Sequence, residues 1–173
     1  MDGALIPLYR KMHAEEAQEV HHFPGRSILQ HAWIVNQMIR KNRSQTLLDY
    51  GCGLGFQYSI EHVERWWGIM PTLYDPAVER YRSHPSEAGH LFDGVIVSDV
   101  MEHVPEDEVR PLLRDIFGLA CQWVFFSICC RPANRLLPDG TNAHCTLKPE
   151  AEWQALVKMH TPIGIDSRVV FTP

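Results

Sequence analysis

Hydrophobic and polar positions along the chain fall into alternating short apolar runs and longer helical periods. Tyr9 to Val20 is rich in helix formers and predicts a first helix. His22 to Arg26, with Pro24 and Gly25, breaks it. Ser27 is placed to cap a second helix through about Arg40, with Ile28, Ala32 or His31, Val35, Met38 and Ile39 on one face. Thr46 to Tyr50 reads as a buried strand, followed by a helix from near Phe56 to about Trp66. Thr72 to Tyr74 predicts a second strand and Ala77 to Tyr81 a short helix. The unbroken apolar run Gly94 to Val97 suits a strand covered on both faces. Pro105 opens a helix to about Leu119, with Glu106, Asp107 and Glu108 in its first turn, where acids complement the dipole. Trp123 to Ile128 is a further strand, Lys148 to about Met159 a further helix, and Val169 to Phe171 a last strand. Strands alternating with helices predict an α/β fold with a doubly wound, mostly parallel sheet. Residues 1–43 form a helical cap on a single domain whose core is 44–173.

The chemistry concentrates where the first strand ends. In Asp49-Tyr50-Gly51-Cys52-Gly53-Leu54-Gly55 an acid is followed by three glycines at alternate positions. Glycine allows positive φ and lets a ligand lie against the main chain. Asp75 follows at the offset of about 20 residues at which an acid can accept hydrogen bonds from ribose hydroxyls. The dinucleotide pattern G-x-G-x-x-G would need glycine where Phe56 stands, and a carboxylate at Asp49 disfavours a pyrophosphate. A positively charged nucleoside fits better.

At these residues the chain resembles the class I S-adenosylmethionine-dependent methyltransferases. The resemblance rests on Leu47 to Gly55, on Asp75, and on Phe92 to Val104, which looks like the family's fourth strand and following loop. It covers roughly residues 44 to 130 and implies a Rossmann-like methyltransferase fold with S-adenosyl-L-methionine as cofactor. Asp49, Gly51, Cys52, Gly53, Gly55, Asp75, Pro76, Ser98, Asp99 and Val100 are the implied cofactor-binding residues, with Tyr9 on an N-terminal helix that lids the site. Two departures mark a minimal member. Asp75 to Asp93 is too short for a full third strand and its adenine-binding acid, so adenine needs another holder, expected in the main chain near Ser83 to Gly89. The C-terminal part is also shortened.

Methyl transfer requires nucleophile and methyl group to be held close and aligned, with a general base if the nucleophile is a hydroxyl. Candidates are Glu102 and His103, after the strand at 94–97, and His144, in the long polar loop after the strand at 123–128. The expected reaction is methylation of an oxygen or nitrogen on a small molecule. Two rivals remain: other chemistry on the same cofactor, cyclising or cleaving its methionyl chain, and a non-catalytic cofactor-binding or scaffold subunit.

Composition narrows the setting. Net charge is −5, and the basic residues are scattered apart from Arg40 to Arg43, read as a helix C-terminus, so nucleic acid is disfavoured as a partner. No Asn-Pro-Pro-aromatic run and no Pro-Cys pair points to a nucleic-acid methyltransferase. The five cysteines are odd in number and contain no C-x-x-C pair, which reads as reduced thiols in a cytoplasmic protein. No leader or membrane span is expected. The histidines at 13, 21 and 22 read as solvated rather than metal-binding, and Trp66, Trp67 and Trp153 as core. Oligomeric state is left open, a homodimer being one option.

Overall fold

The computed structural model describes residue 3 and residues 5–17 and 27–172. The elements are α1 (Ile6–Glu16), α2 (Ser27–Asn42), β1 (Leu47–Tyr50), α3 (Phe56–Ser59), α4 (Glu64–Trp67), β2 (Thr72–Tyr74), β3 (Phe92–Ser98), α5 (Glu106–Leu119), β4 (Ala120–Cys129), α6 (Glu150–His160) and β5 (Asp166–Thr172). The strands form one sheet in the order β2-β1-β3-β4-β5, with every pairing parallel. Strand order reverses between β1 and β3, so the crevice for a ligand opens at the carboxyl ends of those strands.

The period of two along each strand divides the core into two layers. Leu48, Val95, Val97, Val124 and Phe126 pack against Val109, Leu112, Leu113 and Ile116 of α5 and Trp153 and Val157 of α6. Leu47, Ile96, Trp123 and Phe125 face the other way, onto Ile28, Ala32, Val35 and Ile39 of α2 and Trp67 of α4. The face predicted for α2 is therefore the buried one. Each of these side chains contributes about 1.5–3 kcal/mol when fully buried. At the amino end of the sheet Gly94 leaves a notch that the Trp123 indole fills, so that a Cβ there would overlap the ring. The indole N–H donates to Ser44 Oγ at 2.8 Å.

Several elements differ from the sequence expectation. The helix expected over 56–66 is two single turns, because Tyr58 and Trp67 are both buried. Nine residues apart on a continuous helix, they would face opposite sides. The chain reverses between them, with His62 at φ 53°, and Trp67 Nε1 donates to the Ala32 carbonyl at 2.9 Å. Trp66, expected in the core, is 63% exposed, whereas Trp67 and Trp153 are buried. The first helix begins earlier, at Ile6, with Pro7 in its opening turn; Val20 lies outside the described residues. The segment between β2 and β3 holds two 3₁₀ turns, Glu79–Tyr81 and Pro85–Ala88, and no strand. β5 is longer than expected, pairing with β4 from Trp123 to Cys129.

Candidate active site

The turn after β1 is shaped by glycine. Gly51, Gly53 and Gly55 all have positive φ, at 82°, 55° and 70°. They serve different ends. A Cβ on Gly51 would collide with Val100, and one on Gly55 would press on Tyr81 and Leu73. A Cβ on Gly53 would meet only His13 Cε1, at 3.9 Å. The turn is tied to β2 through Gly51 N–H and Cys52 N–H, which donate to the Tyr74 carbonyl at 2.8 and 3.0 Å. Asp75 completes the tie, its two oxygens accepting from Gly53 N–H at 2.9 Å and Ala77 N–H at 2.8 Å. A carboxylate has about four acceptor positions, so Asp75 keeps capacity for a ligand.

Asp49 lies beneath the turn, 2% exposed. Its Oδ2 accepts from Tyr58 Oη at 2.8 Å and Gln57 Nε2 at 3.0 Å. Burial nevertheless pushes its carboxyl up to about 6, against the pull of those donors. Beside it, at the end of β3, Asp99 holds φ 52°, a conformation uncommon for a residue with a side chain. Its N–H donates to the Ser127 carbonyl and its Oδ1 accepts from Ser127 Oγ at 3.3 Å. Burial raises its pKa as well.

The loop after β4 closes the other side. Asn142 staples it: its Oδ1 accepts from Ala133 N–H and His144 N–H at 2.9 Å each, and its Nδ2 donates to the Ala133 carbonyl at 2.9 Å. His144 Nδ1 lies 2.6 Å from the Arg131 carbonyl. A carbonyl only accepts, so Nδ1 carries a proton, and in the neutral imidazole the lone pair is on Nε2. His103 packs edge-on against this ring at 4.7 Å between centroids. Its own Nδ1 is 3.0 Å from the Ala143 carbonyl, which also accepts from Tyr9 Oη at 2.6 Å. Burial, then the neighbouring His144, pushes His103 down to about 4, so it is neutral at physiological pH. Burial raises the Tyr9 hydroxyl, which stays protonated. Tyr9 thus ties α1 to the loop, and Met12 of α1 packs on Leu137 and Ala143.

These parts enclose one cavity of about 800 Å³ along the carboxyl edge of the sheet. Of the residues anticipated from sequence, Asp49, Gly51, Cys52, Gly53, Asp75, Pro76, Ser98, Asp99, Val100, Tyr9, His103 and His144 line it. Gly55 and Glu102 do not. Gly55 is the left-handed entry to α3. Glu102 is 0% exposed, with Oε1 accepting from Cys129 N–H at 2.7 Å and Oε2 lacking a hydrogen-bond partner. Burial, followed by the charge of Asp99, pushes its carboxyl up to about 8. Ser83 to Gly89 also lies outside the lining; His84 accepts from Ser86 N–H and so donates through Nε2 to Asp115 at 2.9 Å. Tyr74, Ala77, Val100 and Leu112 wall that end instead.

His13, read from sequence as solvated, lines the cavity over Gly53; His21 and His22 lie outside the described residues. Gln57 and Tyr58, the donors to Asp49, carried no signal beyond their place after the glycines, and Asn142 carried none. Among the described residues no group of three His, Cys, Asp or Glu side chains is placed to hold a metal, and no helix is long and apolar enough to cross a membrane.

No protein-family model matches the sequence, and no curated protein matches it. Among solved structures the fold is similar to that of an O-methyltransferase family protein from Burkholderia thailandensis, with a TM-score of 0.54 at 16% identity over 79% of this chain. The alignment takes in 51% of that structure, so this chain spans about half its length. The five-stranded parallel sheet with helices on both faces is a Rossmann-like methyltransferase fold.

Proposed function

We propose that this protein binds S-adenosylmethionine and transfers its methyl group to an oxygen or nitrogen of a small molecule. The observation that carries the reading is the cavity that joins the Gly51–Gly53 turn, Asp75 and Asp99 to His144. The fit to the cofactor rests on the donor set. Gly53 leaves the main chain open to a ligand, Asp75 has acceptor capacity for ribose hydroxyls, and the buried Asp49 and half-buried Asp99 are carboxylates suited to a cationic group.

Held by the Gly51–Gly53 turn, Asp75, Asp49 and Asp99, S-adenosylmethionine would supply an electrophilic methyl on a sulfonium, for which the acceptor would provide a lone pair while the carbon–sulfur pair returned to sulfur. His144 Nε2 receives the proton that a hydroxyl or ammonium acceptor loses. The Arg131 carbonyl keeps the imidazole in that tautomer. His103, neutral and locked to Ala143, orients the ring by edge-on packing. Tyr9 and Met12 hold α1 over the cavity.

The size of the cavity favours transfer over cyclisation or cleavage of the methionyl chain. About 800 Å³ is near the upper end of the range for small-molecule sites and extends past the turn to Thr172 of β5, leaving room for an acceptor. Calorimetry with S-adenosylhomocysteine, on the wild type and on D75A, tests the cofactor. No heat of binding with the wild type would overturn the assignment. Product analysis after incubation with S-adenosylmethionine alone separates transfer from self-cleavage.

A further inference from the structure

Four carboxylates line the cavity: Asp49, Asp75, Asp99 and Glu108. The three aspartates are engaged. Asp49 accepts from Gln57 and Tyr58, Asp75 from Gly53 N–H and Ala77 N–H, and Asp99 from Ser127 Oγ. The Glu108 carboxylate has no hydrogen-bond or ion-pair partner among the described residues. It is half-buried, and Gly3 passes so close over it that a Cβ there would lie 3.3 Å from Oε2. An ionised carboxylate accepts hydrogen bonds and donates none, so a partner for Glu108 must bring N–H or O–H groups.

The pitch of α5 aims this group at one end of the cavity. Glu108, Leu112 and Asp115 fall at i, i+4 and i+7, on one stripe of the helix. Asp115 Oδ2 accepts from Tyr50 Oη at 2.8 Å and lies 2.9 Å from His84 Nε2. Tyr50 ends β1, and its ring packs edge-on against Tyr74 at the end of β2, with 4.8 Å between centroids. The stripe therefore faces the β1–β2 end of the sheet. Leu112 and Glu108 continue it into the cavity lining, Glu108 about 6 Å beyond Leu112 along the helix, toward the carboxyl edge where α5 begins. Beside Asp75, the lining at this end is formed by Tyr74, Pro76, Ala77, Val100 and Leu112. The connection between β2 and β3 contributes no acid to it, since Glu79 and Glu87 both lie outside the lining.

We propose that Glu108 is the acceptor for the 6-amine of adenine and selects the base of the cofactor. The proposal rests on the reading of the chain as an S-adenosylmethionine-binding protein. A nucleoside whose ribose hydroxyls are held at Asp75 carries its base among the neighbouring apolar walls. Adenine has flat apolar faces suited to them and an amine with two N–H donors on one edge, which is the chemistry the unpartnered carboxylate lacks. Recognition of the base then comes from the helix after β3, in place of the missing acid between β2 and β3.

The test is calorimetry on the whole chain with two ligands: S-adenosylhomocysteine, and its purine counterpart with hydrogen in place of the 6-amine. The wild type should bind S-adenosylhomocysteine about tenfold or more tighter than the purine analogue. E108A should bind the two within about twofold of each other, and the analogue no more weakly than the wild type does. E108Q, which keeps the shape and a neutral acceptor, should show a preference between those of the wild type and E108A. Equal binding of the two ligands by the wild type, a full preference kept in E108A, or an equal loss for both ligands in folded E108A overturns the proposal and leaves the cofactor reading standing. A wild type that binds neither ligand removes the cofactor reading and the proposal with it.

Discussion

The turn after β1 and the loop after β4 form facing walls of the same cavity, and they are built on opposite principles. The turn is short and shaped by what its residues lack. Gly51, Gly53 and Gly55 take left-handed conformations, and main-chain donors on the Tyr74 carbonyl and Asp75 fix it. The loop is long and shaped by side chains that reach across it: Asn142 to Ala133, Tyr9 to Ala143, His144 to Arg131. A wall made by omission tolerates no added atoms. A wall made by hydrogen bonds fails one donor at a time, each worth about 1 kcal/mol, more when a charged group takes part.

The largest expected effect falls on the turn. G53V should abolish binding of S-adenosylhomocysteine, since a branched side chain would enter the cavity beneath His13 in a backbone conformation it resists. Circular dichroism must show the variant folded; normal calorimetric binding by a folded G53V would place the ligand elsewhere. On the loop, H144A should slow turnover by on the order of 10²–10⁴ while cofactor affinity stays nearly constant. Turnover within a few-fold of wild type would move the base to another residue, or to an acceptor that needs none. D75A should weaken cofactor binding by about 1–3 kcal/mol, part of it from the Gly53 N–H left without its acceptor. Unchanged affinity would sink the ribose assignment.

A test on stability rather than on binding probes the ground between the two walls. Burial raises the Glu102 carboxyl from 4.5 to about 8, so the folded protein retains a proton that the unfolded chain releases. That contribution is fully present below about 4.5 and is lost as pH rises through about 8. E102Q cannot ionise. It should match the wild type near pH 5 and gain on it toward pH 9, by roughly 2–4 °C in Tm for each kcal/mol. A constant difference across that range would mean that Glu102 is already ionised at neutral pH.

The contrast between the walls also explains what could be read from the sequence. The alternation of strands and helices, the buried face of α2, the glycines and Asp75 were legible because each leaves a local mark: a period, a missing side chain, an acid at a set offset; Asp99 was legible only through the resemblance of the Phe92 to Val104 block. His144 was legible only as a histidine in a long loop. Asn142 was invisible, since its three hydrogen bonds depend on how the loop folds back on Ala133. Glu102 and His103 follow the same strand and looked equivalent. One 3₁₀ turn, Met101–His103, sends His103 to the cavity and Glu102 into the interior. The break between α3 and α4 was missed because local helix propensity says nothing about which way Tyr58 and Trp67 must face.

The notch at Gly94 has a bearing on how damage to this molecule would show itself. It lies at the end of the sheet opposite the cavity, filled by an indole that is itself bonded to Ser44. Any side chain there must displace Trp123 from between β4 and α2, so a lesion at Gly94 removes protein from solution, whereas one at Gly53 leaves protein that binds nothing. In a random-mutagenesis screen the two would score alike for activity and separate on abundance. Sorting every inactive variant by its steady-state level would therefore outline the cavity with no ligand in hand.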